Sequence, residues 1–260
     1  MTATTSTGPR VGIILVAAGS GTRLGHGIPK ALVEVAGTTL LEHALRAALT
    51  SRTAHEMVVV LPPGEERLLE LCAEAARKAA IPLSTATGGS SRNDSVRAGL
   101  AELGDVDHVL VHDAARCLTP ADVFVRVAAA LAAGATAVVP GVAVSDTIKS
   151  IDPKAPATAG IPGAHRVTGT PDRSGLRAIQ TPQGFDARAL DAAHAGAATL
   201  GAAEAEAITD DARLMEATGS EVLVVPGAAD AFKITTGLDL LLAEALLASR
   251  TPSTPSQEQP

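Results

Sequence analysis

The feature that most constrains the fold is a continuous apolar segment, Val-Gly-Ile-Ile-Leu-Val, at residues 11–16. No polar residue interrupts it and β-branched residues dominate it, which is typical of a strand covered on both faces. It passes directly into a loop of alanine, glycine and serine at residues 17–21. Strands of this kind occur in parallel sheets, so the segment predicts an α/β fold whose first strand is followed by this loop.

Apolar runs of strand length alternate with helical periodicity along most of the chain. Strands are predicted at residues 57–61, 108–111, 136–140 and 221–225, and helices at residues 40–49, 65–80, 96–103, 120–133, 186–200, 209–218 and 238–248. Thr209 is the expected N-cap of the helix at 209–218. The alternation predicts a doubly wound, mainly parallel sheet that binds ligands at the carboxyl ends of its strands.

Composition excludes several classes of protein. The 260 residues are 46% apolar, which is too much for a disordered chain. The net charge of −7, with no Trp or Tyr and three Phe, provides neither a basic surface nor aromatic platforms for nucleic acid. No apolar run approaches the roughly 20 residues that a membrane span needs. We therefore expect neither nucleic acid nor a membrane as a partner.

The cysteines and the N-terminus bear on localisation. Cys72 and Cys117 stand far apart without metal-ligand spacing, which fits a reducing compartment. The first ten residues contain one Arg and no hydrophobic segment, so they lack the pattern of a secretory signal. We expect a cytoplasmic protein.

The chain predicts a single domain at residues 10–249 between two disordered tails, 1–9 and 250–260. Within the domain, residues 145–180 are crowded with Pro, Gly, Thr and charged residues and lack clear helical or strand periodicity. This stretch is longer than an ordinary connection between elements. It is therefore either functional or a separate subdomain, such as an extended arm.

The loop at residues 17–25 carries the first chemical signal. It does not match G-x-G-x-x-G, because Leu24 stands at the third glycine position, nor Walker A, because Lys30 has proline before it and alanine after it. Its small residues nevertheless expose backbone N–H groups, and Arg23 and Lys30 supply two cations. That combination suits the polyphosphate of a phosphoryl or nucleotidyl transfer. The alternative is a glycine-rich turn with two solvated cations.

Two further clusters follow later in the chain. Gly88 and Gly89 precede a polar segment that leads into a helix, where Ser95 and backbone groups could bind a base edge and Arg92 a phosphate. The alternative there is a capped helix with an exposed arginine. Asp113 follows a buried strand directly, a position that suits a carboxylate holding Mg²⁺ against phosphates. As an alternative, Asp113 caps the helix that follows.

The histidines give no sign of a metal site. His43, His55 and His194 lie on or near predicted helices without a partner at metal-ligand spacing, so we expect solvated or capping roles. We expect His112, beside Asp113, to be a packed residue at a strand end rather than an acid–base group.

The order of these segments resembles the family of 2-C-methyl-D-erythritol 4-phosphate cytidylyltransferases of the non-mevalonate isoprenoid pathway. The resemblance runs from about residue 11 to residue 247 and rests on AAGSGTRLG with PKAL, GG with RNDSVRAGL, VHDAAR, SDTIK, DR, QTPQ, ITDDA and FKIT. Many nucleotidyltransferases share the glycine loop, whereas QTPQ, ITD-x-A and DT-x-K together are far narrower. The resemblance implies a Rossmann-like nucleotidyltransferase fold.

In this family CTP and the sugar-alcohol phosphate react, with Mg²⁺, to give a cytidine diphosphate derivative and pyrophosphate. The resemblance implies catalytic roles for Arg23, Lys30 and Lys233. The residues expected to bind CTP are Ala17, Ala18, Gly19, Gly21, Gly88, Gly89, Arg92, Ser95, Asp113 and Ala114. The residues expected to bind the methylerythritol phosphate are Asp113, Arg116, Thr147, Arg173, Thr209 and Lys233.

The resemblance also implies a homodimer. In the family, the stretch that corresponds to residues 145–180 is a β-arm that hooks around a second subunit. Thr147 and Arg173 would then serve the active site of the neighbour. The stretch before Arg173 is rich in Ala, Pro and Gly and looks long for the family, so Arg166 is a rival for that role.

Two other functions fit the same residues. A cytidylyltransferase for another polyol phosphate, such as ribitol 5-phosphate, would need the same cations. A non-catalytic nucleotide-binding regulator commonly lacks catalytic groups, yet Arg23, Lys30 and Lys233 are present. The Asn that usually stands two residues before the lysine is replaced by Ala231, and Asp230 is a candidate substitute.

Overall fold

The computed structural model describes residues 8–21, 27–153, 161–197 and 210–250. Most of its strands belong to one eight-stranded sheet, and two small two-stranded sheets lie outside it. The strands are β1 (Val11–Val16), β2 (Glu34–Val35), β3 (Thr38–Thr39), β4 (Glu56–Leu61), β5 (Leu83–Thr87), β6 (His108–Asp113), β7 (Ala137–Ala143), β8 (Ser150–Ile151), β9 (Val167–Gly169), β10 (Arg177–Ile179), β11 (Gln183–Asp186) and β12 (Val222–Pro226).

The α-helices of the described residues cover both faces of this sheet. They are α1 (Leu40–Thr50), α2 (Glu66–Lys78), α3 (Arg92–Glu102), α4 (Ala121–Ala132), α5 (Ala187–Ala197), α6 (Asp211–Ala217) and α7 (Gly237–Arg250). Short 3-10 turns lie at Lys30–Leu32, Ala114–Arg116, Arg173–Gly175 and Ala229–Ala231.

The sheet is mainly parallel, as the sequence predicts. Its order is β10-β7-β11-β6-β1-β4-β5, and β12 also pairs with β7. The pairs β1–β4, β1–β6, β4–β5 and β7–β12 are parallel. The antiparallel pairs all involve β10 or β11.

Alternate residues of β1 face opposite layers of helices, because successive side chains of a strand point to opposite faces. Ile13 and Leu15 pack into a core shared with α1, α2, α4 and α7. Ile14 packs into a second core with α3, α5 and α6. Helices on both faces confirm the doubly wound fold.

Several predicted boundaries differ from the structure. β5, with the sequence Leu-Ser-Thr-Ala-Thr, and β11 were not predicted, since neither is a continuous apolar run. α3 begins at Arg92, four residues earlier than expected, which places that arginine in the first helical turn. The predicted N-cap of α6 is wrong: Asp210 is the cap, and its carboxylate accepts a hydrogen bond of 2.9 Å from the N–H of Arg213.

The stretch from residue 145 to residue 180 contains three short strands. β8 and β9 pair antiparallel with each other, whereas β10 joins the edge of the main sheet. The expected tails lie largely outside the described residues, although α7 continues through Arg250, which pairs with Asp230. Among the described helices, none is long and apolar enough to cross a membrane.

Candidate active site

A cavity of about 440 Å³ opens at the carboxyl ends of β1 and β6. This is the edge at which ligands bind in open α/β sheets. Its walls come from six separate parts of the chain: the loop after β1, the turn at Lys30, the start of α1, the start of α3, the end of β6 and the segment around residue 233. The lining residues are Val16, Ala17, Ala18, Gly19, Ser20, Gly21, Lys30, Ala31, Leu40, Gly89, Ser90, Ser91, Arg92, Ser95, Asp113, Ala114, Ala115, Lys233 and Thr235.

The glycine loop folds back against the backbone of Lys30. The Lys30 N–H donates a hydrogen bond of 3.2 Å to the carbonyl of Gly19. Gly21 has a φ of 70°, and a Cβ built there would lie 3.1 Å from the Lys30 Cα. Only glycine meets both conditions without strain. The loop therefore sets the position of Lys30 at the cavity wall. Arg23, the other cation predicted for this loop, lies outside the described residues.

The start of α3 forms the opposite wall. Ser91 is the N-cap and forms a capping box with Asp94. A Cβ on Gly88 would lie 2.5 Å from that of Ala18, and one on Gly89 would lie 2.2 Å from that of Asp94. Gly88 thus allows this segment to approach the glycine loop closely, and Gly89 allows it to turn tightly into α3. Gly88 lies behind the lining residues.

Ser95 is less available than the sequence suggests. Its hydroxyl donates to the carbonyl of Ser91 at 3.0 Å and accepts from the N–H of Gly89 at 3.2 Å. It therefore fixes the loop, and any base-edge contact from this segment depends chiefly on backbone groups.

Asp113 is the charged centre of the site. It ends β6 opposite Val16 of β1, and its carboxylate accepts from Lys233 at 2.7 Å and from Arg92 at 3.3 Å. Burial would raise the pKa of this carboxyl, but the two cations outweigh that effect and hold it well below its usual range. Asp113 makes no capping bond to the turn that follows within the described residues, so the alternative role of helix cap is wrong.

His112 is packed inside the protein, as expected. It is fully buried, its Nδ1 lies 2.9 Å from the hydroxyl oxygen of Thr181, and its ring meets that of Phe124 edge-on at 4.8 Å. The same Thr181 oxygen accepts the N–H of Asp113 at 3.0 Å. Burial lowers the pKa of His112 to about 4.

A buried carboxylate behind Arg92 was not predicted as part of the site. Arg92 Nη1 donates to Asp211 Oδ2 at 2.6 Å, and His194 Nε2 lies 3.0 Å from Asp211 Oδ1. Burial would lower the pKa of Arg92, but Asp211 and Asp113 raise it overall. The expected solvated role of His194 is wrong, since this residue is 2% exposed. His43 is buried as well, and its Nε2 forms a hydrogen bond with the carbonyl of Val35.

Arg116 lies beside the cavity without lining it. Its guanidinium donates to the carbonyl of Ala231 at 2.8 Å and to that of Ile179 at 3.1 Å. These bonds hold the backbone just before Lys233, so in this arrangement the arginine supports the site from behind. Asp230, the candidate substitute for the missing Asn, pairs instead with Arg250.

The predicted arm residues lie away from the cavity of their own chain. Thr147, Arg166 and Arg173 are exposed, and Arg173 donates to the backbone carbonyl of Ser145. Thr209, the other predicted contact of the sugar phosphate, lies outside the described residues. The structure thus brings most of the predicted nucleotide contacts together, but not those expected from the arm.

Several lining residues were missed by the sequence reasoning. Four residues with hydroxyl side chains also line the cavity: Ser20, Ser90, Ser91 and Thr235. Each lies within two residues of a predicted site residue in the sequence, so this adjacency could have been used to predict them. Thr235 is held by Asp239, which accepts from its hydroxyl at 2.8 Å.

The cavity offers few protein ligands for Mg²⁺. Asp113 is the one carboxylate among the described residues that line the cavity. In the described ranges, no group of three or more His, Cys, Asp and Glu side chains is placed to hold a metal ion. Because Mg²⁺ is commonly held by one or two carboxylates together with substrate phosphates and water, the site fits it when phosphates supply further ligands.

Comparison with known proteins identifies the family. A family model described as IspD, 2-C-methyl-D-erythritol 4-phosphate cytidylyltransferase, matches residues 11–249. The bifunctional enzyme IspD/IspF of Clavibacter michiganensis is 50% identical over 246 residues, which are 93% of this chain and 55% of that protein. The 2-C-methyl-D-erythritol 4-phosphate cytidylyltransferase of Rhodococcus jostii is 46% identical, and the match covers 92% of this chain and 96% of that protein.

Solved structures agree with this assignment. The 2-C-methyl-D-erythritol 4-phosphate cytidylyltransferase of Thermus thermophilus superimposes with a TM-score of 0.68 at 36% identity, covering 92% of this chain and 99% of that one. The 4-diphosphocytidyl-2C-methyl-D-erythritol synthase of Anaerococcus prevotii gives 0.76 at 27% identity, covering 92% and 96%. The fold is that of an α/β nucleotidyltransferase. The chain belongs to the IspD family of 2-C-methyl-D-erythritol 4-phosphate cytidylyltransferases.

Proposed function

We propose that this protein transfers the cytidylyl group of CTP to 2-C-methyl-D-erythritol 4-phosphate. The products are 4-diphosphocytidyl-2-C-methyl-D-erythritol and pyrophosphate. Membership of the family supports this reaction. The structural observation that carries it is that Lys30, Arg92 and Lys233, from three distant parts of the chain, line one cavity beside a glycine loop.

CTP binds along the glycine loop and the start of α3. Ala17 donates its backbone N–H to the carbonyl of Val60, whereas the small residues Ala18 and Gly19 offer theirs to the triphosphate. Arg92 adds a guanidinium on the facing wall. The backbone around Gly89 faces the base. This arrangement leaves the α-phosphate near Lys30.

The transfer needs no general base, because the attacking group is already a phosphate anion. An oxygen of that phosphate forms a bond to the α-phosphorus of CTP, and the bond from this phosphorus to the bridging oxygen of the β-phosphate breaks. Bringing two anions together is the main obstacle. Lys30 and Arg23 stabilise the charge of the pentavalent centre, and Lys233 holds the incoming phosphate.

Asp113 has two roles in this proposal. It holds Lys233 and Arg92 in place between the two substrates, and it would be the residue that holds Mg²⁺. When bound, Mg²⁺ would neutralise phosphate charge. Both carboxylate oxygens already accept hydrogen bonds from cations, so Mg²⁺ would share this residue with Lys233 and Arg92.

A second copy of the chain completes the binding site for the sugar phosphate. Thr147 and Arg173 are exposed in the arm and do not line their own cavity. Ile148, Ile151 and Val167 of the same arm are exposed apolar side chains that a partner would cover. We place the dimer in the cytoplasm, which is consistent with two free, buried cysteines.

The test is pyrophosphate release by the purified protein with each nucleoside triphosphate, Mg²⁺ and a panel of polyol phosphates. Release with CTP and the methylerythritol substrate, together with a product of the expected mass, supports the proposal. No release with this pair, or faster turnover of ribitol 5-phosphate, would overturn it. Omitting Mg²⁺ tests the metal requirement separately.

A further inference from the structure

Arg92 is held from behind by a carboxylate that is fully buried. Asp211 is the first residue of α6 and is 0% exposed. Its Oδ2 accepts from Arg92 Nη1 at 2.6 Å, a short charge-assisted hydrogen bond. Asp211 does not line the cavity, so it would act on a ligand there through Arg92.

His194 holds the other oxygen of this carboxylate. Its Nε2 lies 3.0 Å from Asp211 Oδ1, and the histidine, on α5, is 2% exposed. The helix start around Asp211 is fixed as well, because Gln183 donates to Asp210 at 2.8 Å and accepts from the N–H of Ala212 at 3.3 Å. Asp211 therefore has little freedom to follow Arg92 if the arginine moves.

The remaining geometry leaves one edge of the guanidinium for a ligand. Arg92 Nε donates to Asp113 at 3.3 Å and Nη1 to Asp211, whereas Nη2 has no protein partner among the described contacts. The side chain is 24% exposed and lines the cavity. Because a guanidinium is planar, fixing two of its nitrogens fixes the direction of the third. Ordering a long side chain before binding lowers the entropic cost of binding.

We propose that Asp211 and His194 are positioning residues that orient Arg92 toward the triphosphate of the nucleotide. This inference rests on the function proposed above and extends it to two buried residues that do not touch the substrate. It predicts that removing a negative charge near the triphosphate weakens nucleotide binding. A carboxylate near a polyphosphate should weaken binding by simple repulsion, so its removal should strengthen binding unless its role in orienting Arg92 dominates.

The test compares four variants with the wild-type protein in steady-state kinetics. His194→Phe removes the donor to Asp211, whereas His194→Gln keeps an N–H donor. Asp211→Asn removes the charge at nearly constant shape. His55→Phe is the matched control, because that histidine accepts the N–H of Val11 at the start of β1, the opposite end of the strand from the cavity.

We expect the KM for CTP to rise about tenfold in His194→Phe and in Asp211→Asn, with kcat within about threefold of wild type, since the lost contact acts on ground and transition states alike. We expect His194→Gln to restore the wild-type KM. We expect His55→Phe to lower the melting temperature and leave the KM unchanged. If His194→Phe does not fold, the isosteric Asp211→Asn provides the test.

An unchanged or lower KM in Asp211→Asn would overturn the inference, as would equal KM values in His194→Phe and His194→Gln. Crystal structures of the two His194 variants provide a readout that does not depend on turnover. The inference requires Arg92 to leave its position in the Phe variant and to keep it in the Gln variant. Should the wild-type protein fail to turn over CTP while Arg92 behaves in this way, the function fails and the positioning role stands.

Discussion

Lys233 donates a hydrogen bond of 2.7 Å to Asp113, although 120 residues separate them in the chain. Asp113 ends β6 in the centre of the sheet, whereas Lys233 follows the 3-10 turn at Ala229–Ala231 near the C-terminus. The carboxylate therefore holds a cation at the cavity wall before any substrate arrives. Preorganised charge of this kind is the main means by which enzymes stabilise the transition state of phosphoryl transfer.

The first prediction concerns the stability that Asp113 contributes. Its pKa is depressed in the folded protein, because Arg92 and Lys233 outweigh the effect of burial. Such an acid stabilises the fold above its unfolded pKa of about 3.9, and that contribution is lost as pH falls through the folded value. Asp113→Asn should lower the free energy of unfolding in urea by about 1–3 kcal/mol at pH 7 and pH 5 alike.

At pH 3 the difference between wild type and Asp113→Asn should be smaller. The control is Asp122→Asn, which removes an exposed ion pair with Arg126 and should change the free energy of unfolding by less than about 1 kcal/mol. A difference for Asp113→Asn that disappears between pH 7 and pH 5 would contradict this account of the carboxylate.

A second prediction concerns His112. Burial lowers its pKa to about 4, below the ordinary value of about 6.5. The unfolded chain therefore gains a proton between these values while the folded protein does not, so stability falls as pH drops from about 6.5 to about 4, by about 3 kcal/mol from this residue. His112→Asn, whose side-chain oxygen replaces Nδ1 as the partner of Thr181, should flatten the urea-unfolding profile across this window. An equally steep pH dependence of the unfolding free energy in the variant would contradict the prediction.

The sequence predicted the core of the fold because its signals are local. The apolar runs that become β1, β4 and β6 are buried on both faces, and such runs are legible without tertiary information. β5 was missed because its Ser, Thr and Ala residues lie in a half-exposed strand beyond β4. Pairing with a neighbour, rather than its own pattern, makes it a strand.

The candidate site likewise has some parts that local sequence signals predict and others that they do not. Lys30, Arg92 and Asp113 stand beside glycines or at a strand end, so their positions could be inferred from neighbouring residues. The pair of Arg92 with Asp211 spans 119 residues and leaves no local signal. The sequence also could not show that both terminal nitrogens of the Arg116 guanidinium donate to backbone carbonyls.

A third prediction tests how the glycine loop sets the position of Lys30. Gly21→Ala combines a positive φ with a contact of 3.1 Å to the Lys30 backbone. It should lower kcat by about 10- to 100-fold by displacing the lysine. Gly37→Ala is a matched control, since Gly37 has a φ of 71° but open space around its Cβ position. Equal losses of kcat in the two variants would attribute the effect to backbone strain alone.

A fourth prediction tests whether the arm serves a second subunit. Lys30→Ala and Arg173→Ala dimers should each be nearly inactive. After mixing and subunit exchange, each heterodimer would contain one site with both defects and one site with neither, so activity should recover to about a quarter of the wild-type value. Arg166→Ala in place of Arg173→Ala tests the rival residue. If neither arm variant shows recovery with Lys30→Ala, the arm does not complete the partner's site.

The role of Lys30 is tested by the rate of the transfer step in Lys30→Ala, measured by single-turnover pyrophosphate release, together with the Kd for CTP. We predict a rate loss of about 10²–10³-fold with a modest change in Kd, because the lysine acts chiefly on charge that develops in the transition state. Lys78→Ala, which removes an exposed partner of Glu74, should match wild type. A near-normal rate in Lys30→Ala would show that this lysine does not stabilise the transition state.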